Sequence, residues 1–300
     1  MSSPFQEKLR SDRFIVTAEI NPPRGTNTAG ALADAMSLKG WTDALNVTDN
    51  QRSVMHMSPM AVGKLLVDIG HEPIIQITCR DRNRLALQSD LLGAAALGIK
   101  NICIMTGDHT TCGDQPGAKP VYDLDSVQLL SLIRKMQDGF DLVEKELDGA
   151  PEFVVGAVSN TDPTQVMQIM KLEKKVRMGA DFIQTQAVYD VGQFEDFMAA
   201  IAHLDVPIIA GIIPLKSAKM ARFMNDKIPG VRVENEMIAR MEHADDPIHE
   251  GLIIAAETIT EIQKVCRGVH LMPIGKHLNT RKLLEMAGLS PGNNNPGPSH

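Results

Sequence analysis

PIIQITCRDRNRLALQSDLLGAAALGIKNICIMTGD, residues Pro73 to Asp108, decides how this chain folds. It opens on an apolar, β-branched run, PIIQITC (73–79), the composition of a strand buried on both faces. A helical stretch follows, RLALQSDLLGAAALGI, whose apolar residues recur at intervals of three and four. Gly98 falls where a C-terminal helix stop belongs. A second apolar run, NICIMT (101–106), then leads into Gly107-Asp108. The result is one strand–helix–strand unit.

The same alternation extends in both directions. Strands are predicted at FIVTAEI (14–20), DALNVT (43–48), FVVGAV (153–158), DFIQTQ (181–186), PIIAGII (207–213) and VHLMPI (269–274). ALADAMSLKG, MAVGKLLVDIG and PTQVMQIMKLEKKVRMGA supply amphipathic helices, with Gly70 and Gly179 as further stops. Eight such units in one chain predict an α/β fold of the (β/α)8 TIM-barrel type. A doubly wound open sheet is the rival, disfavoured because no GxGxxG follows the first strand. The region 226–266 is longer than one unit needs, which predicts an extra helix before the last barrel helix, roughly 247–266. Residues 1–289 read as one barrel domain. The Pro/Gly/Asn-rich tail SPGNNNPGPSH (290–300) reads as disordered.

Composition narrows the function classes. Of the 300 residues, 43% are hydrophobic and 22% charged, ordinary values for a soluble globular protein. Aromatics make up only 4% while methionines number 17, so Met, Leu and Ile fill much of the core. A net charge of −7, with no Lys/Arg run interleaved with aromatics, argues against a nucleic-acid partner. No segment has signal-peptide or membrane-helix character. The four cysteines, Cys79, Cys103, Cys112 and Cys266, have neither CxxC nor zinc spacing, which fits free thiols in a reducing cytoplasm. Cys112, in a Gly-rich loop, reads as a bystander thiol.

TIM barrels carry their chemistry at the C-terminal ends of the strands. That face holds Glu19, Thr48-Asp49-Asn50, Thr78, Gly107-Asp108-His109, Gln184 with Gln186, and Lys276. Glu19, among Ile20, Pro22 and Pro23, is either a structural acid bonded to a neighbouring loop or a proton donor in a poorly solvated seat. Asp108 is either a turn residue or a ligand contact, with Gly107 permitting close backbone approach to a planar group. Gln184 and Gln186 share a face in a strand of period two, and an amide there offers donor and acceptor to a heterocycle edge. In KLEKKV, Lys171 and Lys174 read as a solvated helix face. No HxH, HExxH or GxSxG is present, so neither a metal site nor a serine triad is legible.

Taken in order, AEINPPRG, NVTDN, ITCRDRN, IMTGDHTTCGDQPGAKPVY, LEKKVRMGADFIQTQAVYDVGQF and AGIIPLKS resemble the 5,10-methylenetetrahydrofolate reductase family of flavoprotein TIM barrels, from about residue 14 to 287. The resemblance implies reduction of 5,10-methylenetetrahydrofolate to 5-methyltetrahydrofolate with a bound flavin, FAD or FMN. It places Glu19 as the general acid and Asp108 between flavin and folate. It assigns Thr48, Gln76, Thr106, Gly107, Asp108, Tyr122, Asp123 and Lys175 to the cofactor, with Lys175 at its phosphate. Gln186 and Lys276 are assigned to the substrate. NAD(P)H or an electron-donating partner protein is implied as reductant, in a homo- or hetero-oligomer.

Departures accompany the resemblance. Gln76 replaces a His that commonly contacts flavin, and Lys276 stands where many members carry Arg. Val158 and Asp162 stand where Tyr and His are frequent, which leaves FMN open beside FAD. Ala218 lies near the usual site of an aromatic that stacks on nicotinamide. The rival functions are a flavin-free, pterin-binding methyltransferase barrel and a non-catalytic barrel subunit of a larger complex.

Overall fold

The stretch from Pro73 to Asp108 forms the unit its pattern implies. Asn83 caps the helix by accepting a hydrogen bond from the Ala86 N–H at 3.0 Å, and Gly98 ends it at φ +81°. The chain then returns parallel to its starting strand, pairing Ile74 with Asn101 and Thr78 with Met105. This is a computed structural model, and it describes residues 3–272 and 278–292.

Eight strands close into one parallel barrel in sequence order. They are β1 (Ile15–Ile20), β2 (Ala44–Val47), β3 (Pro73–Thr78), β4 (Asn101–Met105), β5 (Val154–Ser159), β6 (Phe182–Ala187), β7 (Ile208–Ile212) and β8 (Gly268–Leu271). The ring is completed by β1 beside β8, with Ile15 opposite Gly268 and Ala18 opposite Leu271. Outside run the helices α1 (Pro4–Leu9), α2 (Ala29–Ser37), α3 (Pro59–Asp68), α4 (Arg84–Ala96), α5 (Ser126–Gln137), α6 (Val166–Arg177), α7 (Val191–Ala200), α8 (Ala218–Lys227), α9 (Asn235–His243), α10 (Pro247–Ile262) and α11 (Leu278–Met286).

Alternate strand residues serve two cores. Val16, Ala18, Ile20, Leu45, Val47, Ile75 and Ile77 face outward and are buried against the helices. Ile15, Ala44, Ile74, Cys103, Val154, Phe182 and Ile209 fill the barrel floor. That floor is sealed by the short α1, a plug that the N-terminal sequence did not announce. Its Phe5 is fully buried and meets Phe182 edge-on, 5.5 Å between ring centres. Gly156 makes room for the Phe182 ring, since a Cβ there would lie 2.2 Å from it.

The long segment between β7 and β8 holds α8 and then, within 226–266, the one extra helix expected there, α9, ahead of the barrel helix α10. Together with Leu215, Val231 and Val233 they form a small apolar cluster of their own beside the barrel. At the C-terminus, the Gly292 N–H donates to the Gly40 carbonyl at 3.2 Å. The rest of the tail, 293–300, and residues 273–277 lie outside the described residues. Among the described residues no helix is long and apolar enough to cross a membrane.

Candidate active site

Above the floor, the barrel interior turns polar. Thr17 and Glu19 of β1, Asn46 of β2, Gln76 of β3, Gln184 of β6 and His270 of β8 are all less than one tenth exposed. Burying such groups is unfavourable unless they are hydrogen-bonded, and a chain of contacts does this. Asn46 and Gln184 exchange amide hydrogen bonds at 2.7 and 3.2 Å. Gln184 Nε2 also donates to Thr17 Oγ1 at 3.3 Å, and Thr17 Oγ1 lies 2.9 Å from His270 Nδ1. The other ring nitrogen, Nε2, lies 3.7 Å from Glu19 Oε1. Glu19 Oε2 accepts from Gln51 Nε2 at 3.2 Å.

Glu19 thus stands at the top of a polar ladder, on the wall of a cleft of about 450 Å³ at the C-terminal ends of the strands. That size suits a small organic ligand. Gln76, Thr106, Gly107, Asp108, Lys175 and Gln186 line the same cleft. Seven of the residues to which the resemblance assigns a catalytic, cofactor or substrate role are therefore brought together.

Gln186 owes its place to a local irregularity. The β6–β7 register shifts between Gln184 and Ala187, and the Thr185 side chain accepts the Gly211 N–H at 3.0 Å. The shift leaves Gln184 buried in the ladder and turns Gln186 out to the mouth.

The loop after β4 is built around Arg80, only 1% exposed. Its guanidinium grips Asp81 at 2.7 and 2.9 Å and donates to the carbonyls of Asp108 at 3.3 Å and Asn50 at 3.2 Å. Gly107 has φ +90°, and a Cβ there would press on Thr78 and Arg80 at 3.1 and 3.2 Å. Gly107 itself lines the cleft, and it does so through backbone alone. Tyr122 donates its hydroxyl to the Gly107 carbonyl at 3.2 Å. Below, Asp49 accepts from the Thr78 N–H and hydroxyl, both at 2.9 Å, and from Arg82 at 2.7 and 3.2 Å.

One end of the cleft is cationic. Lys175 is buried on α6, and its ammonium donates to the Val158 carbonyl at 2.5 Å. Burial, reinforced by Lys171 one turn earlier, pushes its pKa down to about 8. Among the described residues neither lysine forms an ion pair. Lys171 is half-buried and lines the cleft as well, while Lys174 is exposed, as its sequence suggested. The spacing of four between Lys171 and Lys175 was the available signal.

Other singled-out residues lie elsewhere. Thr48 is buried beside the cleft and donates to Asn21 Oδ1 at 3.0 Å. Asp123 pairs with Arg84 at 2.9 Å on the outer rim, and that guanidinium brings its carboxyl down to about 2. Lys276 lies outside the described residues. Cys112 is exposed but does not line the cleft, while burial pushes the Cys79, Cys103 and Cys266 thiols up to about 12. The sequence did not single out Arg80, Thr17, Asn46, Gln51 or His270, each an isolated polar residue in an apolar or loop context.

Comparison with known proteins adds ancestry to this geometry. The Methylenetetrahydrofolate reductase family matches residues 4–288. Methylenetetrahydrofolate reductase 1 of Schizosaccharomyces pombe is 26% identical over 184 residues, 58% of this chain and 28% of that protein. The 5,10-methylenetetrahydrofolate reductase of Salmonella typhimurium is 25% identical over 198 residues, 65% of this chain and 62% of that one. The chain spans less than two thirds of the length of these relatives. Among solved structures, an uncharacterized protein from Clostridium thermocellum that binds two copies of 5-methyl-5,6,7,8-tetrahydrofolic acid superposes with a TM-score of 0.67 at 16% identity, covering 95% of this chain and 98% of that chain. A 2,3-dimethylmalate lyase gives 0.52 at 13% identity, with 98% and 91% covered. These two structural likenesses speak to the fold.

Proposed function

Since the chain belongs to the methylenetetrahydrofolate reductase family, we propose that it reduces 5,10-methylenetetrahydrofolate to 5-methyltetrahydrofolate with a bound flavin, Glu19 serving as general acid. The observation that carries this reading is the convergence of Glu19, Asp108 and Gln186 on the cleft that also exposes the Gly107 backbone and Lys175.

The residues present fit a flavin. A flat ring needs a wall without side chains, and the Gly107 backbone supplies one. A phosphate needs positive charge, and Lys171 and Lys175, both on the cleft wall, would supply it. Thr106 and Gln76 would hold the ring from the strand ends. The flavin, when bound, supplies the hydride that turns the bridging carbon into a methyl group. FMN and FAD both meet the phosphate requirement.

The protein's own part is protonation and orientation. Glu19 donates a proton to one ring nitrogen of the five-membered methylene bridge, so that its C–N bond breaks and an iminium forms. Charge develops on the carboxylate as the proton leaves, and a donor that acts at that moment lowers the barrier. Gln51 and His270 face the two carboxylate oxygens. Gln186 offers its amide to the pterin edge, and Asp108 borders the space between the two ring systems. NAD(P)H or an electron-donating partner protein would replenish the reducing equivalents, in a homo- or hetero-oligomeric assembly.

The first test is spectroscopic. Purified protein should be yellow with flavin absorbance bands; colourless protein that binds methyltetrahydrofolate would instead support the methyltransferase reading. The second is Glu19→Gln, which should keep its flavin and lose folate reduction by several orders of magnitude, roughly 10³-fold or more. Turnover at the wild-type rate would refute the acid assignment.

A further inference from the structure

The polar ladder has a direction, and the direction selects a histidine tautomer. Asn46 Nδ2 donates to Gln184 Oε1, and Gln184 Nε2 donates back to Asn46 Oδ1, so the two amides are matched to each other, and it is the further donation from Gln184 Nε2 that gives the set its direction. The remaining Gln184 hydrogen goes to Thr17 Oγ1. Thr17 therefore keeps its own single hydrogen to give away. It can go to His270 Nδ1 at 2.9 Å, or to the Val269 carbonyl at 3.5 Å with His270 Nδ1–H donating to the second lone pair of Thr17 Oγ1, and 3.5 Å is beyond the ordinary O–H···O range. The shorter contact wins. With Nδ1 accepting, a neutral His270 carries its proton on Nε2, the nitrogen that faces Glu19 Oε1 at 3.7 Å.

We propose that Asn46, Gln184 and Thr17 are positioning residues that hold His270 as the Nε2–H tautomer, and that this N–H supports the Glu19 carboxylate as it gives up its proton. The proposal rests on the reading of Glu19 as the general acid. Four strands contribute to the ladder, β2, β6, β1 and β8, and all five residues from Asn46 to Glu19 are buried. A barrel layer of this kind is ordinarily filled by branched apolar side chains. Replacing them by a directed set of donors weakens apolar packing and supplies a preorganised N–H in its place. The distance of 3.7 Å is long for a hydrogen bond, and contacts of this kind tighten when charge develops. Of the carboxylates on the cleft wall, Glu19, Asp49 and Asp108, only Glu19 pairs with His270 among the described residues. The tautomer therefore serves one acid.

The test begins with the resting full-length protein. Nitrogen-15 spectra of labelled histidine should show His270 as the Nε2–H tautomer; an Nδ1–H tautomer overturns the proposal whatever the activity. Thr17→Val should then slow folate reduction by about 10- to 100-fold at saturating substrate, with KM nearly unchanged, because a donor aimed at developing charge is weakened. Thr17→Ser restores the hydroxyl and should recover the rate to within about threefold. Equal rates for wild type and Thr17→Val would refute it. Should Thr17→Val fail to fold, His270→Gln and His270→Leu replace it: Gln keeps an N–H and should outpace Leu, and equal losses refute the proposal. Glu19→Gln run alongside separates the two ideas. If it abolishes folate reduction while the Thr17 and His270 variants do nothing, only this inference fails. If it leaves turnover intact, the acid assignment itself fails.

Discussion

Replacing Lys175 by methionine removes a charge that the ligand-free fold holds at a disadvantage. The ammonium is buried, its pKa lies near 8 against an ordinary 10.5, and the causes are desolvation first and Lys171 second. A shift of that size corresponds to a penalty of about 3 kcal/mol at pH 7, where the side chain must be charged in both states. Methionine has similar reach and no charge, and it forfeits the hydrogen bond to the Val158 carbonyl, worth about 1 kcal/mol. The variant without ligand should therefore be more stable by about 2 kcal/mol, or roughly 4 °C in Tm for a chain of this size.

The pH dependence distinguishes this cause from generic repacking. Because the folded pKa is the lower one, the unfolded chain binds more protons between pH 8 and 10.5, and wild-type stability rises with pH through that window. The penalty should fall from about 3 kcal/mol at pH 7 to about 1 kcal/mol at pH 10. Urea denaturation of both ligand-free proteins at the two pH values measures it. The variant's advantage should shrink by about 2 kcal/mol between them. A methionine variant that is less stable at pH 7, or an advantage that ignores pH, would refute the reasoning. Inorganic pyrophosphate should stabilise the wild type and leave the variant almost unmoved, because the anion returns to Lys175 the partner it lacks.

Three other substitutions probe separate parts of the site. Asp108→Asn should slow folate reduction more than flavin reduction, measured as two half-reactions by anaerobic stopped flow; equal losses would count against its place beside the folate. Gly107→Ala puts a Cβ against Thr78 and Arg80 at a φ of +90°, so it should lose about 1–2 kcal/mol of stability in denaturation and also shed flavin during gel filtration. Asp49→Asn takes the charge from a buried carboxylate that accepts from Thr78 and Arg82. Its loss should lower stability by about 3 kcal/mol in urea titration and loosen the loop at Asn50.

The first seven strands were legible to within a residue or so, because strands covered on both faces must be short apolar runs, whereas VHLMPI (269–274) was read past the end of β8 at Leu271 and into residues outside those described. FIVTAEI, PIIQITC and PIIAGII became Ile15–Ile20, Pro73–Thr78 and Ile208–Ile212. The same uniformity hid which side of each strand looks inward. In PIIQITC, Ile74 fills the barrel floor whereas Ile75 and Ile77 pack on helices, and nothing local separates those isoleucines. The plug helix Pro4–Leu9 escaped notice because six residues give too short a period to read. Its apolar residues find partners only once the barrel floor exists.

The site shows the same division between what one element specifies and what closure creates. Glu19 and Gly107-Asp108 were legible because each breaks its own strand's pattern at the end where barrels carry chemistry. Thr17, Asn46 and His270 break theirs in mid-strand, and there a polar residue is ambiguous: it is either a defect tolerated at an edge or one member of a set. Membership depends on which strands closure sets side by side, as when β8 brings His270 opposite Thr17 and β2 brings Asn46 opposite Glu19. Lys171 shows a related ambiguity, for a half-buried lysine on a helix can line a cleft as well as face solvent, and only closure puts α6 against the cleft. Polar residues at the same depth in successive strands of a barrel pattern should therefore be read jointly, since a buried layer of them is stable only when every member has a partner.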